Sequence, residues 1–146
     1  MTAEILKEIE KIAAFAAKDL RNRSSEMDGT AIIAEENYIP EWSGEKDYSK
    51  VLAGAPVKFK EQVYVLLQPH NAKNYPYFPF ELPALWRVSH TKDPQKAKPW
   101  MKPKSTSEMY LKDECMIWTD GKIYCAERNT AFSPEEFASD WKEITL

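Results

Sequence analysis

The stretch VKFKEQVYVLLQPH, residues 57–70, and the stretch IWTDGKIYCAERNT, residues 117–130, say nearly the same thing. Each places a branched aliphatic residue seven positions ahead of a tyrosine, Val57 before Tyr64 and Ile117 before Tyr124, with polar residues at the centre. Asp120-Gly121 is a strong short hairpin signal, because a two-residue turn needs positive φ at both central positions. Such a turn predicts Ile117 beside Tyr124, and by analogy Val57 beside Tyr64, each pair on one face of a hairpin. Lys60-Glu61, at the corresponding place in the first stretch, suits that turn badly and predicts a looser or longer connection. Phe59, Val63, Tyr64 and Val65 nonetheless favour strand.

Working outward, the likeness continues. Behind each hairpin comes an aromatic-x-Pro, and a Trp lies nine residues after the aromatic: Tyr77 and Trp86 in one copy, Phe132 and Trp141 in the other. The segments WRV and WKEI that follow predict a third strand in each copy. Trp42 and Tyr48 precede the first hairpin as Trp100 and Tyr110 precede the second. The chain therefore reads as one unit of about 45 residues written twice. The polar stretch SHTKDPQKAKP separates the copies. The expected organisation is a helical segment over 1–37, a first unit over 38–88, a linker over 89–99 and a second unit over 100–146. The fold class is α+β, mainly β, with two small three-stranded units.

The N-terminal segment predicts a helix over the first 23 residues, since Ile5, Leu6, Ile9, Ile12, Ala13, Ala16 and Leu20 recur at spacings of three and four. That stripe either packs on the first unit or makes the chain a homo-oligomer. A second short helix is expected after Asp28, a good N-cap, through AIIAEE. Pro40 ends helical structure.

Composition bounds the function. Within 146 residues, 20 basic side chains against 23 acidic give a charge of −3, which offers no field for nucleic acid or anionic lipid. No apolar run approaches the roughly 18 residues of a membrane span, and the charged N-terminus lacks the apolar core of a secretion signal. Synthesis in a bacterial cytoplasm is the expectation. The two histidines, His70 and His90, have no cysteine near them, so neither a metal site nor another cofactor is expected. With a two-residue turn, Cys115 would face Ala126 and Cys125 would face Met116. The thiols would then point to opposite faces and stay free. Glu35-Glu36, Asp113-Glu114 and Glu135-Glu136 are adjacent pairs that cannot flank a glycosidic bond from both sides. The reading is of a protein that is not an enzyme.

The run GAPVKFKEQVYVLLQPHNA…YFPFELPALWRV resembles the small chitin-binding carbohydrate-binding modules of families five and twelve, in the tandem form found in phage and prophage proteins. Val57, Tyr64, Gln68, His70, Pro79, Pro83, Ala84, Leu85 and Trp86 carry the resemblance in the first unit. Asp113, Gly121, Lys122, Tyr124, Asn129, Pro134 and Trp141 carry it in the second. The lead-in EMDGTAIIAEENYIPEW is similar to the segment that precedes such tandems. Tyr77 and Phe132 stand where the family has a Trp.

The resemblance implies binding of a polysaccharide, chitin-like or from the bacterial cell wall, through exposed rings against the apolar face of a pyranose. The candidate carbohydrate-binding residues are Tyr77, Phe78, Phe132, Trp42, Trp100 and Trp118. Tyr64, Tyr124, Trp86 and Trp141 are expected in the core; for Tyr77 and Phe132, packing and ligand contact stand even. Two functional classes stay open. One is a glycan-binding module. The other is a structural or interaction protein of a phage tail, with other phage proteins as partners and every ring in the core. Association with a virion fits either class.

Overall fold

The structure, a computed structural model, describes residues 2–12 and 27–146. Residues 3–12 form helix α1, and its Ile5, Leu6, Ile9 and Ile12 side chains are exposed on the single chain. The rest of the predicted stripe, Ala13, Ala16 and Leu20, lies outside the described residues. Helix α2, Gly29–Ala34, starts at the predicted cap: the Asp28 side chain accepts from Ala31 N at 2.9 Å.

Seven strands in two sheets follow, which makes the chain α+β and mainly β. The first sheet has the order β1-β2-β3, from Pro56–Phe59, Gln62–Leu66 and Trp86–Val88. The second has the order β4-β5-β6-β7, from Lys98–Pro99, Cys115–Ile117, Ile123–Ala126 and Trp141–Ile144. All neighbours are antiparallel except β4 and β5. The second unit thus has four strands where three were expected. The extra pair differs little from the first unit, where Glu41 makes one parallel bridge to Lys58.

Backbone hydrogen bonds show the repeat. Gly54 N donates to Leu66 O and Leu66 N to Ala55 O, as Asp113 N donates to Ala126 O and Ala126 N to Glu114 O. Gly54 and Asp113 both have positive φ, 93° and 75°. Trp42 N donates to Lys58 O and Trp100 N to Ile117 O, both at 2.8 Å. Tyr48 Oη accepts from Ser43 N as Tyr110 Oη accepts from Met101 N. Each tyrosine then meets its tryptophan edge-on, Tyr48 with Trp86 at 5.1 Å and Tyr110 with Trp141 at 5.3 Å.

The two turns exchange their expected forms. Lys60 and Glu61, at φ 46° and 65°, make the tight two-residue turn that their side chains oppose, and Val57 pairs with Tyr64 as predicted. Strand β2 is buried along its whole length, with Tyr64 and Leu66 on the Trp86 side and Val63 and Val65 against Ile32, Ile33 and Ile39. Each such apolar side chain contributes about 1.5–3 kcal/mol. That outweighs roughly 1–2 kcal/mol per residue for left-handed backbone at the turn.

The second hairpin instead closes through three residues, Thr119 to Gly121. Gly121, at φ 80°, takes the left-handed position, Trp118 N donates to Lys122 O, and Asp120 Oδ1 accepts from Lys122 N. The added residue moves the register by one, so Met116, not Ile117, pairs with Tyr124. This overturns the free thiols. Cys115 now pairs with Cys125, and the two form a disulfide. A one-residue slip changes the face of every side chain on a strand. Tyr124 is half-buried rather than core, its hydroxyl donating to Asp120 Oδ2 at 2.8 Å.

The segment expected as a linker is packed. Ser89, His90 and Thr91 are buried, Thr91 O accepts from Cys115 N, and Lys98–Pro99 supply β4. Glu108, itself buried, reaches from the second unit's lead-in to the first sheet, where its Oε2 accepts from Val88 N at 3.1 Å. Its Oε1 accepts from Lys104 N and its backbone carbonyl bonds His90 Nε2. Gln62 Nε2 donates to Pro99 O at 2.7 Å, a second tie between the units.

Candidate functional site

The loop between β2 and β3 carries the exposed rings. Asn71 caps a 3-10 turn over Ala72–Asn74, its side chain accepting from Lys73 N, and Ala72 N donates to Lys46 O. Tyr77 N then donates back to Tyr75 O at 2.7 Å across Pro76. Phe78 N donates to Glu81 Oε1, and Pro79 opens the next 3-10 turn. Pro76 and Pro79 fix φ on both sides of the Tyr77-Phe78 pair. The loop's backbone is therefore fixed by its own hydrogen bonds while its aromatics stay exposed.

Three consecutive rings stand out from this scaffold: Tyr75 is 41% exposed, Tyr77 55% and Phe78 42%. With Trp42, Gly44, Glu45 and Lys73 they line a cleft of about 460 Å³, within the size range of small-ligand sites. Trp42 is half-buried and meets Phe59 at 5.2 Å and Phe78 at 5.9 Å, edge-on in both cases. Its Nε1 is buried without a hydrogen-bond partner among the described residues. Gly44 lies against the Trp42 ring, where a Cβ would come within 3.3 Å of Cη2. Phe78 stacks on Phe59 at 5.0 Å and on Phe80 at 5.8 Å. Lys60 Nζ sits 5.1 Å from the Phe78 centroid. Tyr75 meets His70 edge-on at 5.5 Å, and His70 packs in turn on Trp86. Tyr77 makes no ring contact among the described residues.

The second unit repeats the scaffold with fewer rings. Ser133 N donates to Glu136 Oε1 and Trp141 Nε1 to Phe132 O, so Phe132 occupies the place of Tyr77. It is 45% exposed and packs on Phe137, 49% exposed, at 4.6 Å. Trp100 and Trp118 do not line the cleft. Trp100 stacks on Tyr110 at 5.2 Å and meets Trp118 edge-on at 5.7 Å, and both pack on the second core. Trp42, Tyr77 and Phe78 are thus brought together, Phe132 stands apart on the other unit, and Trp100 and Trp118, partly buried, pack against the second core.

Tyr75, Lys73, Glu45 and Phe137 were not anticipated. The run YPYFPF did hold a signal for Tyr75, since alternation with proline keeps each ring from collapsing onto its neighbour. Burial raises the pKa of Tyr48 in the first core, and hydrogen bonds from Ser49 lower that of the exposed Asp47. Among the described residues no group of three or more His, Cys, Asp or Glu side chains could hold a metal ion, and no helix is long and apolar enough to cross a membrane. No protein-family model matches the chain, and no curated protein matches it.

Proposed function

We propose that this protein is a non-catalytic glycan-binding module of a phage or prophage protein, and that its first unit binds a polysaccharide chain along Tyr75, Tyr77 and Phe78. The observation that carries the reading is three exposed rings on one loop, two of them between Pro76 and Pro79, lining a cleft together with Lys73 and Glu45. Rings held ready lose little conformational entropy on binding. Their faces suit the C–H surface of a pyranose, and the two charged groups suit its hydroxyls. Phe132 and Phe137 supply a smaller, weaker platform on the second unit. The Cys115–Cys125 disulfide favours a virion-associated place of action over a reducing cytosol.

The test is retention on insoluble chitin and on bacterial cell wall. Tyr77→Ala should weaken retention about tenfold, or 1.4 kcal/mol, and Phe132→Ala less. Loss of retention by the parent on both polymers would end the glycan reading. Retention that Tyr77→Ala leaves unchanged would move the platform elsewhere.

A second reading, a structural part of a phage tail with no sugar affinity, is favoured by the exposed Ile5, Ile9 and Ile12 on α1. Under it, deleting residues 1–23 lowers the oligomer mass in light scattering. An unchanged mass argues against it.

A further inference from the structure

A second cleft, of about 340 Å³, lies where the start of α2, strand β3 and the second unit's lead-in meet. Its walls include Asp28, Arg87, Ser89, His90, Leu111 and Glu114. Arg87 and Ser89 sit two apart at the end of β3 and so share a face. Ser89 is 5% exposed, and its Oγ has no hydrogen-bond partner among the described residues. A buried hydroxyl left without a partner costs about 1–3 kcal/mol, and a native site that carries one needs an explanation.

The charges of this cleft are unmatched as well. Arg87 is half-buried, yet it makes no ion pair or side-chain hydrogen bond among the described residues. Glu114 gives one oxygen to Leu111 N at 2.6 Å, and Asp28 gives one to Ala31 N at 2.9 Å. The other oxygen of each is unbonded among the described residues. Opposite charges therefore line one cavity without closing on each other, leaving between them a gap that a ligand could bridge. A lone anion on Arg87 would face two carboxylates. A lone cation at the carboxylates would face Arg87 and the nearby Lys92, both of which act on Glu114. His90 adds no charge at neutral pH, because burial lowers its pKa to about 4. Only a molecule that carries both signs meets every group.

We infer that this cleft binds a small zwitterion of the α-amino-acid class, its carboxylate on Arg87 and Ser89 Oγ, its ammonium on Glu114 and Asp28. Leu111 offers an apolar wall for a side chain. The site is separate from the aromatic cleft and does not rest on the glycan reading.

The experiment is an NMR titration of the full chain with glycine and with L-leucine, beside acetate and methylammonium as the two halves. Saturable shifts confined to residues 28–29, 87–90 and 106–114 are expected, with a Kd on the order of 1 mM. Neither half should saturate at the same concentrations. Arg87→Gln should weaken binding about tenfold, as loss of a charge-assisted bond does, and Ser89→Ala by less. Tyr77→Ala should leave the titration unchanged. The parent titration decides the matter even if a variant fails to fold. No saturable shift up to about 20 mM, some twenty times that Kd, would overturn the assignment. So would shifts centred on residues 72–78, or acetate binding as tightly as glycine.

Discussion

Replacing Glu108 with alanine should destabilise the whole chain. Its carboxylate accepts from Val88 N in the first sheet and from Lys104 N in its own segment, each at 3.1 Å. Val88 is buried, so water cannot take over, and an orphaned N–H there costs about 1–3 kcal/mol. Lys104 is exposed, and its N–H can turn to solvent at little cost. The backbone carbonyl that meets His90 is unaffected by the substitution. The expected loss is therefore about 2–3 kcal/mol. Glu108→Gln keeps one acceptor but places an amide donor against the other N–H, so it should recover only part, losing about 1–2 kcal/mol. In urea, with a slope of about 2 kcal/mol per molar, the alanine variant's midpoint should fall by roughly 1–1.5 M. A midpoint within about 0.25 M of the parent would refute the reasoning, because Val88 N–H would then have another partner or none would be needed.

Under denaturing, non-reducing conditions a thiol reagent should find no reactive group, and reduction should release two and cost about 2–3 kcal/mol for a loop of this size; two reactive thiols without reductant would return the hairpin to a two-residue turn. His90 is neutral in the folded chain with a pKa lowered to about 4, against 6.5 unfolded, so the unfolded state takes up its proton first as pH falls. Stability from this group is present above about pH 6.5 and lost between there and pH 4, by about 3 kcal/mol at most. Glu114, with its pKa raised by burial, works in the opposite sense. Melting temperatures of the parent and His90→Gln across that window should converge at the acid end; parallel curves would rule the effect out. Glu61→Gly should stabilise the first hairpin by about 1 kcal/mol, since glycine accepts positive φ without strain; a lower melting temperature would mean that the Glu61 side chain contributes more than its backbone costs.

The strands were legible because β-favouring residues such as Phe59, Val63, Tyr64 and Val65 flank a turn signal and the pattern recurs in the second copy, and Trp86 and Trp141 each begin a strand as read. The turns were not. Asp-Gly serves a two-residue or a three-residue loop equally well, and the choice rests on where Asp120 finds an N–H, which no local pattern states. Lys60-Glu61 is the reverse case: side chains that oppose a tight turn are held in one by β2, buried on both faces. Residues 89–99 read as a polar linker, yet the backbone of Thr91 and the ring of His90 find partners across the unit boundary. In the site, Tyr77 and Phe78 could be placed on an irregular segment between Pro76 and Pro79, and Phe132 on the matching segment ahead of Pro134. That Trp100 packs on Tyr110 and Trp118, away from the cleft, could not be read locally, because those contacts join residues distant in sequence.

The Cys115–Cys125 bond also sets how far the chain can be drawn out under load. A protein tethered at one end and held on a surface at the other is pulled along its length, and when it gives way each freed residue lengthens it by about 3.4 Å. The bond bypasses a stretch with a sequence separation of 10, so roughly 34 Å of slack stays locked until the bond is reduced. In a single-molecule pulling experiment, the oxidised protein should extend by that much less than the reduced one, with the hairpin that holds Asp120-Gly121 kept out of the line of force.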